Sequence, residues 1–319
     1  MGSVFVWTGL LVGVGYGYAA QRGAFCMNSG FRDMVTEGNT TKVKAYVLAI
    51  ALQMVLVPAV FAFGLSSATY PGFFPVGAVV GGLLFGASMR WAGGCAAGVW
   101  YKVGAGSWGA LAAVLGMAIG ATLLEIGPLV GLREPLQSLG PTMTFPVDLW
   151  VFAPAAGLIV TALLLHASDG VAGSWSWRRT GLWMGVLGAV AWPLSSLCAR
   201  DFGMAVIPGT VTLLVEPIAR LSSWDLLFVV GIPLGGFLAA RRDGPVVASK
   251  ASPTAAVKRF AGGLGLGAGA SLAAGCTVGH GLTGVPLLAP GSIVSLLAIF
   301  AGSAITSLWA VRRSMRHAE

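Results

Sequence analysis

Long apolar segments dominate the pattern of the chain, and each is about as long as a membrane crossing. A transmembrane helix needs about 20 mostly apolar residues, and boundaries read from sequence vary by a few residues. Nine segments meet this condition: 4–21, 45–66, 75–92, 107–127, 149–167, 181–197, 223–240, 261–275 and 292–311. The pattern therefore predicts an all-α integral membrane protein with about nine transmembrane helices.

Composition supports a membrane protein and excludes most other classes. Charged residues make up 9% of the 319 residues, against about 25% in a soluble domain. Hydrophobic residues make up 56%, and glycine, with 48 residues, has about twice its ordinary share. Glycine lets membrane helices approach closely. A soluble enzyme, a disordered chain and a nucleic-acid binder are excluded, so the expected surroundings are membrane lipid and no nucleic acid.

The positions of the basic residues predict the orientation, because loops on the cytoplasmic side are enriched in Lys and Arg. With the N-terminus periplasmic and the C-terminus cytoplasmic, all but three of the nineteen Lys and Arg residues face the cytoplasm. The exceptions are Arg133, Arg200 and Arg220. The net charge of +8 thus reflects topology. The predicted location is the bacterial inner membrane, which the chain crosses several times.

Two glycine-rich stretches resemble each other and indicate an internal repeat. When Cys95 is placed on Cys276, three glycine pairs also superpose: Gly82 on Gly263, Gly86 on Gly267 and Gly98 on Gly279. The single transport domain, 1–319, then divides into a first repeat at 1–148, a linker span at 149–180 and a second repeat at 181–319. An odd linker span inverts the second repeat, which is a common transporter architecture.

Four further stretches are too short to cross the membrane and too apolar to be simple loops. They are 22–38, 93–105, 198–216 and 276–290. Irregular backbone at membrane depth is tolerated where it is buried in protein or lines a wet path. We therefore predict four re-entrant half-helices within an inverted 4+1+4 arrangement, with the chain breaking at Gly93-Gly94 and at Gly275.

The four cysteines are the main candidates for chemistry. Cys95 and Cys276 lie at glycine breaks, where substrate sites form in transporters, and we interpret them as functional. Cys26 also lies in a re-entrant stretch, and the residues alone leave its role open. Cys198 has no partner in the repeat and is interpreted as a packing residue. Thiols are soft groups, so the predicted substrate is a reduced sulfur compound or a soft metal ion.

Other candidate residues carry weaker signals. No CxxC pair, zinc-type spacing or MxxM cluster occurs, so neither a metal nor a cofactor is predicted. His280 is by default a hydrogen-bonding residue, and the acids Glu125 and Glu216 form no evident proton relay. Four bases flank the re-entrant stretches. Lys102 and Arg90 are interpreted as topology anchors, whereas Arg22 and Arg200 fit either an anchor or an anion contact.

Three motifs resemble the signatures of the YeeE/YedE sulfur-transport family. They lie at 21–26, 93–98 and 275–281 and read QRGAFC, GGCAAG and GCTVGHG. The resemblance implies an inner-membrane importer of thiosulfate whose cysteines contact the ion in transit. It also implies a small TusA-like cytoplasmic sulfur carrier as partner. Cys26, Cys95 and Cys276 match the functional cysteines of this family. Together with these three, the residues that we predict to bind or conduct the substrate are Arg22, Gly94, Gly275, Thr277 and His280.

The residues and the resemblance together predict a thiosulfate permease with a path lined by thiols. Two alternatives stay open at this stage. One is a membrane thiol oxidoreductase or sulfurtransferase that forms a cysteine persulfide, although the lack of CxxC counts against it. The other is a soft-metal permease. The prediction is therefore a transporter rather than an enzyme.

Overall fold

A computed structural model describes residues 5–69, 73–139, 149–215 and 223–316 of the chain. Within these ranges the protein is mostly helical. The α-helices are α1 Trp7–Arg22, α2 Met27–Glu37, α3 Thr41–Ala62, α4 Pro75–Ala92, α5 Ala96–Gly104, α6 Trp108–Glu125, α7 Val130–Ser138, α8 Ala153–Leu165, α9 Trp177–Ser196, α10 Ile207–Val215, α11 Trp224–Arg241, α12 Pro253–Ala273 and α13 Pro290–Arg316.

Other regular elements are short. A 3₁₀ turn, Leu149–Phe152, leads into α8, and a two-residue hairpin pairs β1 (Val171–Ala172) with β2 (Trp175–Ser176) in antiparallel register. The stretch after α12 forms a π-helix, Thr277–Gly284, followed by a 3₁₀ turn, Val285–Leu287. The sequence predicted a half-helix there, and the structure replaces regular α-helix with these wider and tighter turns. A π-helical turn is rare and often marks a functional site.

Six helical segments among the described residues are long and apolar enough to cross a membrane. They are Thr41–Ala62, Pro75–Gly104, Trp108–Glu125, Trp224–Arg241, Pro253–Leu287 and Pro290–Arg316. The all-α membrane class is therefore established. Helices α1, α8 and α9 lie on the other three predicted spans but are not among the six, so nine crossings remain a prediction.

Glycine sets the distance between the long helices. A Cβ atom added at Gly86 in α4 would collide with the backbone carbonyl of Ile299 in α13. A Cβ atom added at Gly267 in α12 would collide with the carbonyl of Met117 in α6 in the same way. Because these helices touch backbone to backbone, larger residues would force them apart.

Four short helical segments fall inside the four stretches predicted to be re-entrant. Helix α2 has 11 residues, α5 and α10 have 9 each, and the π-helix has 8. At about 1.5 Å per residue an α-helix of this length covers less than 20 Å, and the hydrocarbon core is about 30 Å thick. None of these segments can cross the membrane alone.

Polar contacts tie the helix ends together at two opposite ends of the bundle. At the end that carries most of the bases, the contacts are Arg22 with Asp243 at 2.5 Å, Lys44 with Ser168 at 2.8 Å and Arg259 with Ser107 at 3.3 Å. At the other end they are Arg133 with Glu125 at 2.8 Å, Arg200 with Asp225 at 2.6 Å and Ser66 with Asp201 at 3.3 Å. We call the first the basic end and the second the opposite end.

Candidate functional site

Three of the cysteines share one local conformation. Each lies two residues after a residue with positive φ: Ala24 (44°) before Cys26, Gly93 (77°) before Cys95 and Ala274 (59°) before Cys276. Each cysteine then has extended backbone and is the N-cap of a short helical segment. The N-terminus of a helix presents unpaired N–H groups and the positive end of the helix dipole. Three thiols are thus placed where an anion is stabilised.

The Cys26 and Cys95 thiols lie together against Gly98, in the first turn of α5. A Cβ atom added at Gly98 would lie 2.6 Å from the Cys26 sulfur and 3.1 Å from the Cys95 sulfur. The Cys95 N–H points at the Cys26 sulfur. The N–H groups of Met27 and Gly98 point in turn at the Cys95 sulfur. The starts of the two short helices therefore contact each other through the thiols of their N-cap residues, and Cys26 and Cys95 are 1% and 3% exposed.

Cys276 lies at the inner wall of a cavity that opens at the opposite end. Its sulfur faces the N–H groups of Gly279, Val278 and Val206. The cavity has a volume of about 220 Å³, and its lining includes Cys276, Glu125 and Arg133. Arg133 and Glu125 form an ion pair at 2.8 Å. This cavity, which we call the outer cavity, thus brings one thiol and one arginine together.

A second cavity lies at the basic end, on the other side of the thiols. We call it the basic cavity, and its volume is about 560 Å³. Five bases line it: Arg32, Arg90, Lys102, Lys258 and Arg259. Its wall also includes Asn28 and Ser29, in the first turn after Cys26, and Gly93, two residues before Cys95. The two cavities share no lining residue.

Three buried tyrosines surround the thiols, and reasoning from the sequence missed them. Tyr16 is 1% exposed and belongs to the same buried core cluster as Cys26, Cys95 and Cys276. The Tyr46 hydroxyl donates a 2.5 Å hydrogen bond to the Thr277 carbonyl, beside Cys276. Tyr101 in α5 interacts with Cys26 and Cys95. Tyrosine is rare in this chain, with five residues in all. The position of these three on helices next to the cysteine motifs is the sequence feature that could have pointed to them.

Thr277 and His280 build the turn around Cys276 and line neither cavity, whereas Gly275 also lines the outer cavity. His280 is buried, with Nε2 2.9 Å from the Ala273 carbonyl and Nδ1 3.1 Å from Ser292 Oγ. This geometry assigns the neutral tautomer in which Nε2–H donates and Nδ1 accepts. A Cβ atom at Gly275 would lie 2.8 Å from His280 Nε2, so glycine is required beneath the ring. The Thr277 side-chain oxygen is buried without a partner among the described residues.

The structure places one chain break at Gly93, within the predicted Gly93-Gly94 break, and the other at Ala274, one residue before the predicted Gly275. The residues with positive φ are Gly93 and Ala274, each of which caps the preceding long helix. The left-handed conformation at position 93 favours glycine because it has no Cβ. A Cβ atom at Gly94 would lie 3.1 Å from the Val99 side chain, so Gly94 serves close packing in the turn.

The flanking bases are mostly engaged in structural contacts. Arg22 pairs with Asp243 at 2.5 Å. Arg200 binds both carboxylate oxygens of Asp225 at 2.6 Å and donates to two backbone carbonyls. Lys102 donates to the Gly93 carbonyl at 2.6 Å while also lining the basic cavity. Arg22 and Arg200 line neither of the two cavities.

The remaining candidates lie apart from the thiols that cap the short helices. Cys198 is half-buried in the turn after α9 and lines neither cavity. Glu125 belongs to the outer cavity through its ion pair with Arg133. Glu216 lies outside the described residues. Across the described ranges, no group of three His, Cys, Asp or Glu side chains is placed to hold a metal ion.

Taken together, the fold and the site define an all-α membrane transporter whose buried thiols lie between two cavities. Comparison with known proteins then gives the family. The model of the sulphur transport family matches residues 22–305, so the chain belongs to this family, and the resemblance carried by the three cysteine motifs is confirmed. Membership in a transport family makes the chain a transporter rather than an enzyme.

Several curated relatives are named as transporters. The thiosulfate transporter TsuA of Spirochaeta thermophila is 32% identical over 321 residues, which cover 93% of this chain and 97% of that protein. The thiosulfate transporter TsuA of Escherichia coli is 32% identical over 305 residues, or 86% of each chain. The probable transporter YedE of Escherichia coli is 33% identical over 165 residues, which cover 50% of this chain and 38% of that protein.

Proposed function

We propose that this chain imports thiosulfate, or a similar reduced-sulfur anion, across the bacterial inner membrane through a path lined by cysteine thiols. The observation that carries the proposal is the placement of Cys26, Cys95 and Cys276. Each caps a short helical segment, and together they lie between the outer cavity and the basic cavity. Two full-length relatives are named thiosulfate transporters, which supports the choice of substrate.

The chemistry of the site matches both parts of the thiosulfate ion. A dianion in the membrane interior is very costly unless it is paired or hydrogen-bonded, and the N–H groups at the short helix ends supply donors. The terminal sulfur of thiosulfate is soft and can accept from a thiol, which is a weak donor. Several weak contacts bind an ion without trapping it, as conduction requires. No covalent step is needed.

The inverted repeat is part of the proposal, and the helix pairings support it. Packing of α1 on α11 is matched by packing of α9 on α3, and packing of α4 on α13 is matched by packing of α12 on α6. Exchanging the two proposed repeats, 1–148 and 181–319, converts each pair into the other. Nine crossings with four re-entrant segments, and the linker span at 149–180, fit this exchange.

The orientation and the partner complete the proposal. With the N-terminus periplasmic, the outer cavity faces the periplasm, and the basic end faces the cytoplasm, as the positive-inside rule requires. The family resemblance supports a TusA-like sulfur carrier as cytoplasmic partner. Pull-down from membranes with a purified carrier of this kind tests the partner, and a carrier that binds membranes equally well without this protein would contradict it.

Growth on thiosulfate as sole sulfur source, in cells that lack other sulfur-import routes, tests the function directly. We expect Cys95→Ala and Cys276→Ala to abolish growth and Cys26→Ala to behave likewise. The matched control is Cys198→Ala, which removes a half-buried thiol in the turn after α9, away from the starts of the short helical segments, and should grow like wild type. Membrane levels are measured alongside. Full growth of Cys95→Ala or Cys276→Ala at normal levels would remove the thiol path.

Mass spectrometry separates transport from persulfide chemistry. The purified protein is exposed to thiosulfate, and the mass of the intact protein then shows whether sulfur has been added to a cysteine. Weak S–H···S contacts leave every thiol unmodified. A stoichiometric sulfur adduct on Cys26, Cys95 or Cys276 in the transport-competent protein would replace the proposed permease mechanism with a covalent one.

A further inference from the structure

The lining of the basic cavity is unusually rich in positive charge. Its five bases come from four helices: Arg32 from α2, Arg90 from α4, Lys102 from α5, and Lys258 and Arg259 from α12. No acidic residue belongs to its described lining. At about 560 Å³ the cavity has room for a small ion and several waters, since one water takes up about 30 Å³ of liquid.

Three of the five bases are engaged with protein groups. Arg32 pairs with Asp33 at 2.7 Å, Lys102 donates to the Gly93 carbonyl at 2.6 Å, and Arg259 donates to Ser107 at 3.3 Å. Arg90 and Lys258 have no hydrogen-bond or ion-pair partner within the described part of the chain. Two full charges are therefore free to bind a ligand.

The lining of the basic cavity contains no sulfur. Besides the bases its lining presents hard donors, namely the amide of Asn28 and the hydroxyl of Ser307. Such groups recognise the charge and the oxygen atoms of an anion. Nothing in this lining distinguishes a terminal sulfur from a terminal oxygen, whereas the thiols deeper in the protein offer a soft partner.

We propose that the basic cavity is a second anion site, which binds small divalent oxyanions by charge and does not discriminate sulfate from thiosulfate. Its lining includes Ser29, whose hydroxyl donates to the Cys26 carbonyl at 3.0 Å, and Gly93, which lies two residues before Cys95. The cavity therefore adjoins the paired thiols of Cys26 and Cys95. This inference rests on the proposed function, in which the transported ion leaves through this cavity. Cytoplasmic sulfate then competes with the leaving ion and slows net uptake.

Direct binding of labelled sulfate tests the site without transport. Purified protein in nanodiscs of phosphatidylcholine is equilibrated with ³⁵S-sulfate by dialysis at low salt. Wild type should bind sulfate, and Arg90→Gln or Lys258→Gln should weaken binding roughly tenfold each, since a base next to a dianion contributes about twice the attraction of two unit charges. Added salt should weaken wild-type binding through screening.

A double variant with the same loss of charge elsewhere is the matched control. Lys250→Gln with Arg312→Gln removes two exposed bases that lie outside the basic cavity and should bind sulfate like wild type. Equal sulfate binding by wild type and by Arg90→Gln with Lys258→Gln would overturn the proposal. A second result would also overturn the proposal. If Arg90→Gln with Lys258→Gln lost bound phosphatidylglycerol in mixed nanodiscs but kept its affinity for sulfate, the cavity would be a site for a lipid headgroup.

Transport then tests the consequence of the site. In right-side-out membrane vesicles loaded with sulfate, wild-type thiosulfate uptake should be slowed, and Arg90→Gln with Lys258→Gln should be relieved of this inhibition. Uptake by wild type that ignores internal sulfate would overturn the competition. Failure of the proposed function has a different signature, because wild-type vesicles would then take up no thiosulfate even when sulfate is absent.

Discussion

Replacing Gly98 by alanine is the smallest change that tests whether the paired thiols are held in place. The added methyl carbon would lie 2.6 Å from the Cys26 sulfur and 3.1 Å from the Cys95 sulfur. Non-bonded heavy atoms are comfortable at about 3.5–4.0 Å, so the Cys26 sulfur must retreat by roughly 1 Å. It has little room to do so because Cys26 is 1% exposed and is the N-cap residue of α2, with its backbone fixed at the start of that helix.

The expected cost of Gly98→Ala follows from overpacking. Forcing a methyl group into a well-packed core costs about 1–3 kcal/mol. Displacement of the Cys26 sulfur also weakens the proposed contacts between this sulfur and the transported ion. Each 1.4 kcal/mol of binding or transition-state free energy that is lost lowers the affinity or the rate about tenfold. We therefore expect thiosulfate uptake to fall at least tenfold while the protein still reaches the membrane.

The repeat supplies a matched control for Gly98→Ala. Gly279 superposes on Gly98 in the sequence, yet a Cβ atom there meets nothing within 4 Å. Gly279 lines the outer cavity, so the added methyl group would project beside this cavity rather than against a sulfur. Gly279→Ala should therefore reach normal membrane levels with uptake reduced far less than in Gly98→Ala. Gly131→Ala, also with nothing within 4 Å, controls for expression. Uptake of labelled thiosulfate per unit of membrane protein is the measurement. Wild-type uptake by Gly98→Ala would refute the fixed placement of the two sulfurs.

Three further predictions address topology, stability and the tyrosine shell. Reporter fusions in the loop at 242–252 should be cytoplasmic, and a periplasmic signal would overturn the orientation. Arg200→Met should lower the free energy of unfolding by about 3 kcal/mol, because Asp225 would keep a largely buried, unpaired charge, and an unchanged melting temperature in detergent would contradict this. Tyr46→Phe should cost about 1–2 kcal/mol through the unpaired Thr277 carbonyl, and thermal unfolding compared with Tyr18→Phe measures it.

Hydropathy and glycine spacing predicted the parts of this fold that depend on local sequence. Each predicted span contains a helix, and each predicted re-entrant stretch contains a short helical segment. These predictions succeed because the length and apolarity of a segment directly limit whether it can cross the bilayer. The repeat also placed Cys95 and Cys276 in equivalent turns. Their backbone conformations agree, with positive φ two residues before each thiol.

What the sequence could not predict depends on contacts between distant residues. The role of Cys26 was open because its partner, Cys95, lies in a different motif. Arg200 fitted either an anchor or an anion contact, and its ion pair with Asp225 needs the turn after α9 to meet the start of α11. The sequence indicates that Arg90 and Lys102 are topology anchors, and the structure adds that both line the basic cavity, which a single base at a helix end does not reveal.

The burial of the thiols has a consequence for how an ion passes between the two cavities. Cys26, Cys95 and Cys276 are at most 3% exposed, and the basic cavity and the outer cavity have no lining residue in common. In this conformation the thiols therefore close the route that the proposed function assigns to the ion. Each passage then requires the short helices that carry the thiols to move, so the rate of uptake is set by that movement rather than by free diffusion of the ion.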